Sequence, residues 1–123
     1  MTNKMPKVTK IVLKEIVDTD PDLSYLEPGA LPDYEPENAE RLASYNRGEW
    51  YTIGIKAYAT IEIPIDEKTS SIQTIESGGL WGIESDSRSD YKTTIGKEEV
   101  DEVKHLLRTL QIDGINEADV INL

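Results

Sequence analysis

The only histidine in the chain, His105, is the first residue to test for acid–base chemistry, because imidazole titrates near neutrality without help from its surroundings. On a helical wheel it points away from the Val100, Val103 and Leu107 stripe, with Asp101 one turn back, so the expectation is a surface histidine pairing locally with Asp101. A Ser-His-Asp arrangement is not expected around it. The absence of cysteine removes disulfides, thiolate zinc sites, iron–sulfur clusters and cysteine nucleophiles together. Asp18, Asp20 and Asp22 are spaced like the first three ligands of a calcium loop. That loop needs glycine at its sixth position and glutamate at its twelfth, and here those positions hold Leu23 and Gly29, so no metal site is expected. Glu84, Asp86 and Asp90 form a looser acidic set in a polar stretch. Gly78, Gly79 and Gly82 match neither the dinucleotide pattern nor the phosphate-loop pattern, and are expected to serve backbone geometry beside Trp81. The reading is a protein without catalytic residues, metal or cofactor.

What remains is recognition. Trp50, Tyr58, Trp81 and Tyr91 include residues on polar faces or in loops, and tryptophan and tyrosine dominate interface hot spots; burial of either tryptophan in the fold is the competing expectation. The chain of 123 residues carries 24 acidic against 13 basic side chains, a formal charge of −11. Such a field repels phosphate backbones and anionic lipid, so neither direct nucleic-acid binding nor membrane binding is expected. An excess of carboxylates serves solubility, and it also imitates the phosphates of DNA in a basic groove.

The elements that must position these residues follow from patterning. The length suits one domain, 1–123. No apolar run approaches the ~18 residues of a membrane span, and the start, MTNKMPKVTK, is basic with no signal-type apolar core behind it. VTKIVLKEIV over 8–17 alternates as a strand, with Thr9, Ile11, Leu13, Glu15 and Val17 on one side and Val8, Lys10, Val12, Lys14 and Ile16 on the other. Residues 18–36 hold four of the six prolines and six carboxylates and read as an irregular acidic arm. A short helix is expected over 36–47, with Pro36 at its first position and Gly48 closing it. WYTIGIKAYATIEIPI alternates strictly from Trp50 to Ile65, a strand too long to stay flat, with a bulge expected at Gly54. Asp66–Ser70 reads as a hairpin turn, Ser71–Ile75 as a strand, Ser77-Gly78-Gly79 as a second turn or bulge, and Leu80–Glu84 as a strand. Glu84–Thr94 reads as a surface loop, 97–110 as a helix after Gly96, and Asn116–Ile121 as one capped turn. The fold class is α+β, a curved antiparallel sheet of about four strands with two helices packed on one face, in the order β-α-β-β-β-α.

At Tyr25-Leu26-Glu27, Arg41-Leu42-Ala43-Ser44-Tyr45-Asn46-Arg47-Gly48-Glu49-Trp50, Ile53-Gly54-Ile55-Lys56-Ala57 and the block from Ser71 to Ser87, SIQTIESGGLWGIESDS, the chain resembles a family of small uncharacterised proteins of bacteriophages and other bacterial mobile elements. The resemblance runs from about Tyr25 to Leu110. It implies a setting, a bacterial host cytoplasm, and no catalytic residue. In that setting the leading expectation is an accessory protein that binds a host protein with a basic nucleic-acid groove and inhibits it, in the manner of anti-CRISPR or antirestriction proteins. The alternatives are a phage structural or assembly factor and a carboxylate–metal small-molecule binder. The expected partner-binding residues are Trp81, Glu84, Asp86, Asp90 and Tyr91, with Trp81 as anchor. A second expectation for Trp81 is that its glycines let it fold back over the sheet beside the Val100/Leu107 helix as a core plug.

Overall fold

The computed structural model describes residues 5–122, so the first four residues of the basic start lie outside the described residues. The fold is α+β with an open sheet. Strand β1 spans Lys7–Val17, helix α1 Glu35–Asn46, strand β2 Thr52–Pro64, strand β3 Ser70–Glu76, strand β4 Leu80–Glu84, helix α2 Ser89–Thr109 and strand β5 Asp119–Asn122. The sheet order is β3-β2-β1-β5, with β4 also paired to β2.

Alternation in β2 decides which face is buried. Ile53, Ile55, Ala57, Ala59 and Ile61 all turn one way and are buried, and α2 closes over them with Ile95, Val100, Val103 and Leu107. The small residues Ala57 and Ala59 let the helix approach the sheet. Gly96 does the same within α2, since a Cβ there would stand 2.5 Å from a Leu13 methyl.

Val8 lies on the face opposite to the one its simple alternation predicts. The β1–β2 register shifts between Val8 and Lys10, so Thr9 is an extra bulged residue and Val8 joins Ile11 in the core. The chain also does not turn back at Ser77-Gly78-Gly79. β3 pairs with the Tyr58–Pro64 half of β2 and β4 with the Thr52–Ile55 half, both antiparallel, so they lie end to end along one edge of β2. Ser77 holds the joint: its amide donates to the Ala57 carbonyl, its hydroxyl accepts from the Ala57 amide, both at 2.9 Å, and that hydroxyl donates to Glu99 at 2.8 Å.

Three further expectations are corrected. α2 begins at Ser89, so Ser89–Thr94 is helix rather than loop; the hydroxyls of Thr93 and Thr94 bond back to the carbonyls of Ser89 and Asp90. Residues Asp119–Asn122 form a strand, not a helical turn, parallel to β1 and pairing Lys10–Leu13, which makes the sheet five-stranded and mixed. Of the two helices expected on one face, α2 alone packs across the strands β1, β2 and β3, whereas α1 packs on two 3-10 turns of the acidic arm, Ser24–Leu26 and Pro32–Tyr34.

Candidate protein-binding surface

The acidic arm is stapled to the sheet by one arginine. Arg41, on α1, reaches two carboxylates at the end of β4: its Nε donates to Glu84 Oε1 at 2.9 Å, and Nη1 and Nη2 both donate to Asp86. Tyr25, in the arm, donates its hydroxyl to the other oxygen of Glu84 at 2.7 Å. The same guanidinium stacks 3.9 Å from the ring centre of Trp50. Trp50 is buried, its indole N–H donating to the Arg41 carbonyl and the Ser44 hydroxyl, with Tyr45 edge-on at 5.1 Å. Arm and α1 therefore form a small lobe with a centre of its own, in which Trp50 and Leu26 are buried. Hydrogen bonds from Arg41 hold the Asp86 carboxyl below the ordinary range. Burial first, and the Glu84 carboxylate second, push the Tyr25 phenol well above its ordinary value.

This arrangement redistributes the expected site. Glu84 and Asp86 are tied to Arg41 rather than presented singly. Asp90 pairs with Arg88 at 3.1 Å on the surface, and Tyr91 is exposed in the first turn of α2. Trp81 lies elsewhere. Ile83 faces α2, and alternation across the intervening bulge puts Trp81 on the other face of the sheet, flat against Gly54, where a Cβ would come within 2.3 Å of the indole Cε3. The core-plug expectation beside Val100 and Leu107 is thus overturned: the ring is 45 % exposed and sits on the face that α2 does not cover. The glycines explain the seat. The β2–β4 register shifts between Ile53 and Ile55, opposite Trp81 and Gly82, and Gly82 has φ of +75°, a bulge conformation that L side chains rarely adopt. The bulge expected at Gly54 in the long strand does not form there: β2 pairs with β1 without a break through Gly54, and the extra residue belongs to β4. The structure brings Trp81 and Glu84 to neighbouring positions on β4 and leaves Asp90 and Tyr91 on α2.

Residue chemistry alone points to the 84–90 loop for charge, but the densest run of carboxylates without an ion pair lies in the arm. Between Asp18 and Glu49 stand nine carboxylates and two arginines, so this quarter of the chain carries −7 of the −11. Arg47 pairs with Glu40 and Glu49, and Arg41 is spent on β4. Among the described residues, the remaining carboxylates of the stretch make no ion pair. The side chains of Asp18 and Asp22 accept backbone amides of Asp20 and Ser24 and shape turns. Leu31 and Tyr34 stand exposed in the same lobe. The signal was present in the sequence as composition; what was missing was which acids Arg41 would neutralise.

His105 is exposed on α2, and the local pairing with Asp101 does not form. Among the described residues no group of three or more acidic or imidazole side chains is arranged to hold a metal ion, and no helix is long and apolar enough to cross a membrane. Comparison of the chain with protein-family models, with curated proteins and with solved structures returns no match.

Proposed function

We propose that this protein acts by binding another protein, with the acidic lobe as its contacting face and Trp81 as the apolar anchor at the lobe's border. The partner class is a host protein with a basic nucleic-acid groove, which the lobe would occupy in place of phosphates; the setting is the cytoplasm of a bacterium carrying the mobile element. The observation that carries the reading is the concentration of unpaired carboxylates in one lobe, fixed to the sheet through Arg41, next to a half-exposed indole seated on glycine. Spread evenly, the same charge would serve solubility alone. Gathered on one side, it steers a cationic partner and sets orientation on encounter. An indole with one ring face on backbone and the other in water is a low-entropy contact ready to be covered.

Affinity capture from nuclease-treated bacterial lysate tests it, comparing the full chain with a variant in which Asp20, Asp22, Asp33, Glu27, Glu35 and Glu37 become the matching amides. The expected result is recovery of a nucleic-acid-binding protein that raised salt releases and the amide variant fails to capture. Equal recovery on both proteins would overturn the lobe as the contact. Recovery of virion components instead would move the function to phage assembly.

A further inference from the structure

A further candidate surface is a groove beside α2 whose lining shares no residue with the acidic lobe. α2 sits over β2 and the adjoining half of β1, while β5 extends the sheet beyond it. A groove of about 690 Å³ therefore opens between α2 and the β1–β5 edge, within the range of small-molecule sites. Its apolar lining comes from Leu13, Ile55, Val100 and Val120, with Gly96 leaving room in the helix wall. Val120 pairs with Ile11 on the α2 side of the sheet and is still 45 % exposed.

The charge around this groove runs against that of the molecule. α2 sorts its ionised residues: Glu99 and Glu102 lie on the flank facing the β3–β4 joint, where they bond the Ser77 hydroxyl and the Gly78 amide. Lys92, Lys97 and Lys104 line the groove on the opposite flank, with Glu15 and Asp101 as its acids. Lys92 is engaged, donating to the Ser85 carbonyl at 2.6 Å and standing 3.7 Å from Glu15. Lys97 and Lys104 have no carboxylate within ion-pair distance among the described residues, Asp101 included. Two ammonium groups without a carboxylate partner among the described residues, beside an apolar trough in a chain of charge −11, suit an elongated apolar molecule with one anionic end. We infer that this groove binds such an amphiphile, its chain along Leu13, Val100 and Val120 and its carboxylate or phosphate head at Lys97 and Lys104.

Titration of the full chain with dodecanoate, dodecyl phosphate and dodecanol, each below its aggregation concentration and followed by amide chemical shifts, tests the inference. The expected result is saturable shifts at Leu13, Gly96, Val100 and Val120 with either anion, the tighter one identifying the head group, and much weaker binding of dodecanol. Lys97→Gln with Lys104→Gln should weaken the anions at least about tenfold while leaving the unfolding midpoint in place. A Val120→Asp variant, at an exposed position, should abolish binding with the rest of the spectrum unchanged. Unsaturable shifts, shifts centred on Trp81, or equal affinity for dodecanol and the anions would overturn it. Sedimentation with phosphatidylglycerol vesicles would also overturn it, by assigning the lysines to a membrane surface.

Discussion

Arg41 is the residue on which the lobe depends. A single planar donor spans Glu84 and Asp86 and stacks on Trp50, which a lysine cannot reproduce. Arg41→Ala should cost about 2–3 kcal/mol, since it strands two carboxylates beside Tyr25, and Arg41→Lys should recover only part of that; urea unfolding midpoints measure both. The acid dependence has a definite sign. Asp86 is held below its ordinary range in the folded protein, so its contribution is present above the unfolded value near ~4 and is lost as pH falls through the folded one. The gap between wild type and Arg41→Ala should therefore narrow below about pH 4. At the alkaline end the raised Tyr25 phenol contributes fully below about pH 10 and loses that contribution as pH climbs above it, a dependence that Tyr25→Phe should remove. Trp81 behaves differently because only one ring face is packed. Trp81→Ala should cost about 1–2 kcal/mol by the area it buries, short of the roughly 3–5 kcal/mol of a core tryptophan. Gly54→Ala should lift the indole off the sheet and shift its emission to the red, with Trp50 unchanged in its hydrogen-bonded site. An emission spectrum like wild type would contradict the seat described for Trp81.

At the scale of elements, strands and helices with clean periodicity were readable in advance, and the departures have local causes. β2 and the Val100–Leu107 part of α2 declare themselves because every second, or every third and fourth, residue is apolar. Simple alternation puts Val8 on the wrong face because it carries no mark of a bulge; Thr9 looks like any strand residue until the register with Ile61 and Thr60 is seen. The first two turns of α2 resemble loop because Ser89, Asp90, Thr93 and Thr94 are polar and Gly96 is a poor helix former; the helix is stabilised there by Ile95 and by the close approach of Leu13. β5 is four exposed residues, too short for a period, and its identity comes from the parallel ladder with β1. Its worth can be measured. Ending the chain after Ala118 leaves Lys10–Leu13 as a bare sheet edge, so thermal unfolding should stay cooperative with a midpoint lower by roughly 5–10 °C. Light scattering should rise with concentration as the edges pair. An unchanged midpoint would show that β5 adds nothing to the fold.

Across the whole molecule, the acidic lobe at one end of the sheet carries −7 of the −11 charge, while lysines line the groove beside α2. The candidate site is legible in part: Trp81 and its glycines stand out as a geometry that must serve something, whereas Glu84 and Asp86 read as free acids and are bound by Arg41. Self-repulsion within the lobe gives a stability effect opposite to the binding effect. Raising salt to about 0.5 M shortens the screening length to a few ångströms, so wild type should melt slightly higher, and the six-fold amide variant should melt at the same temperature with or without added salt. Partner binding should weaken over the same range. The most direct measurement is competition at the captured partner: a labelled duplex oligonucleotide bound to it is titrated with this protein and followed by anisotropy. Stoichiometric displacement that fades with salt, and that the amide variant fails to produce, is the expected result. Simultaneous binding of oligonucleotide and protein, neither altering the affinity of the other, would contradict it.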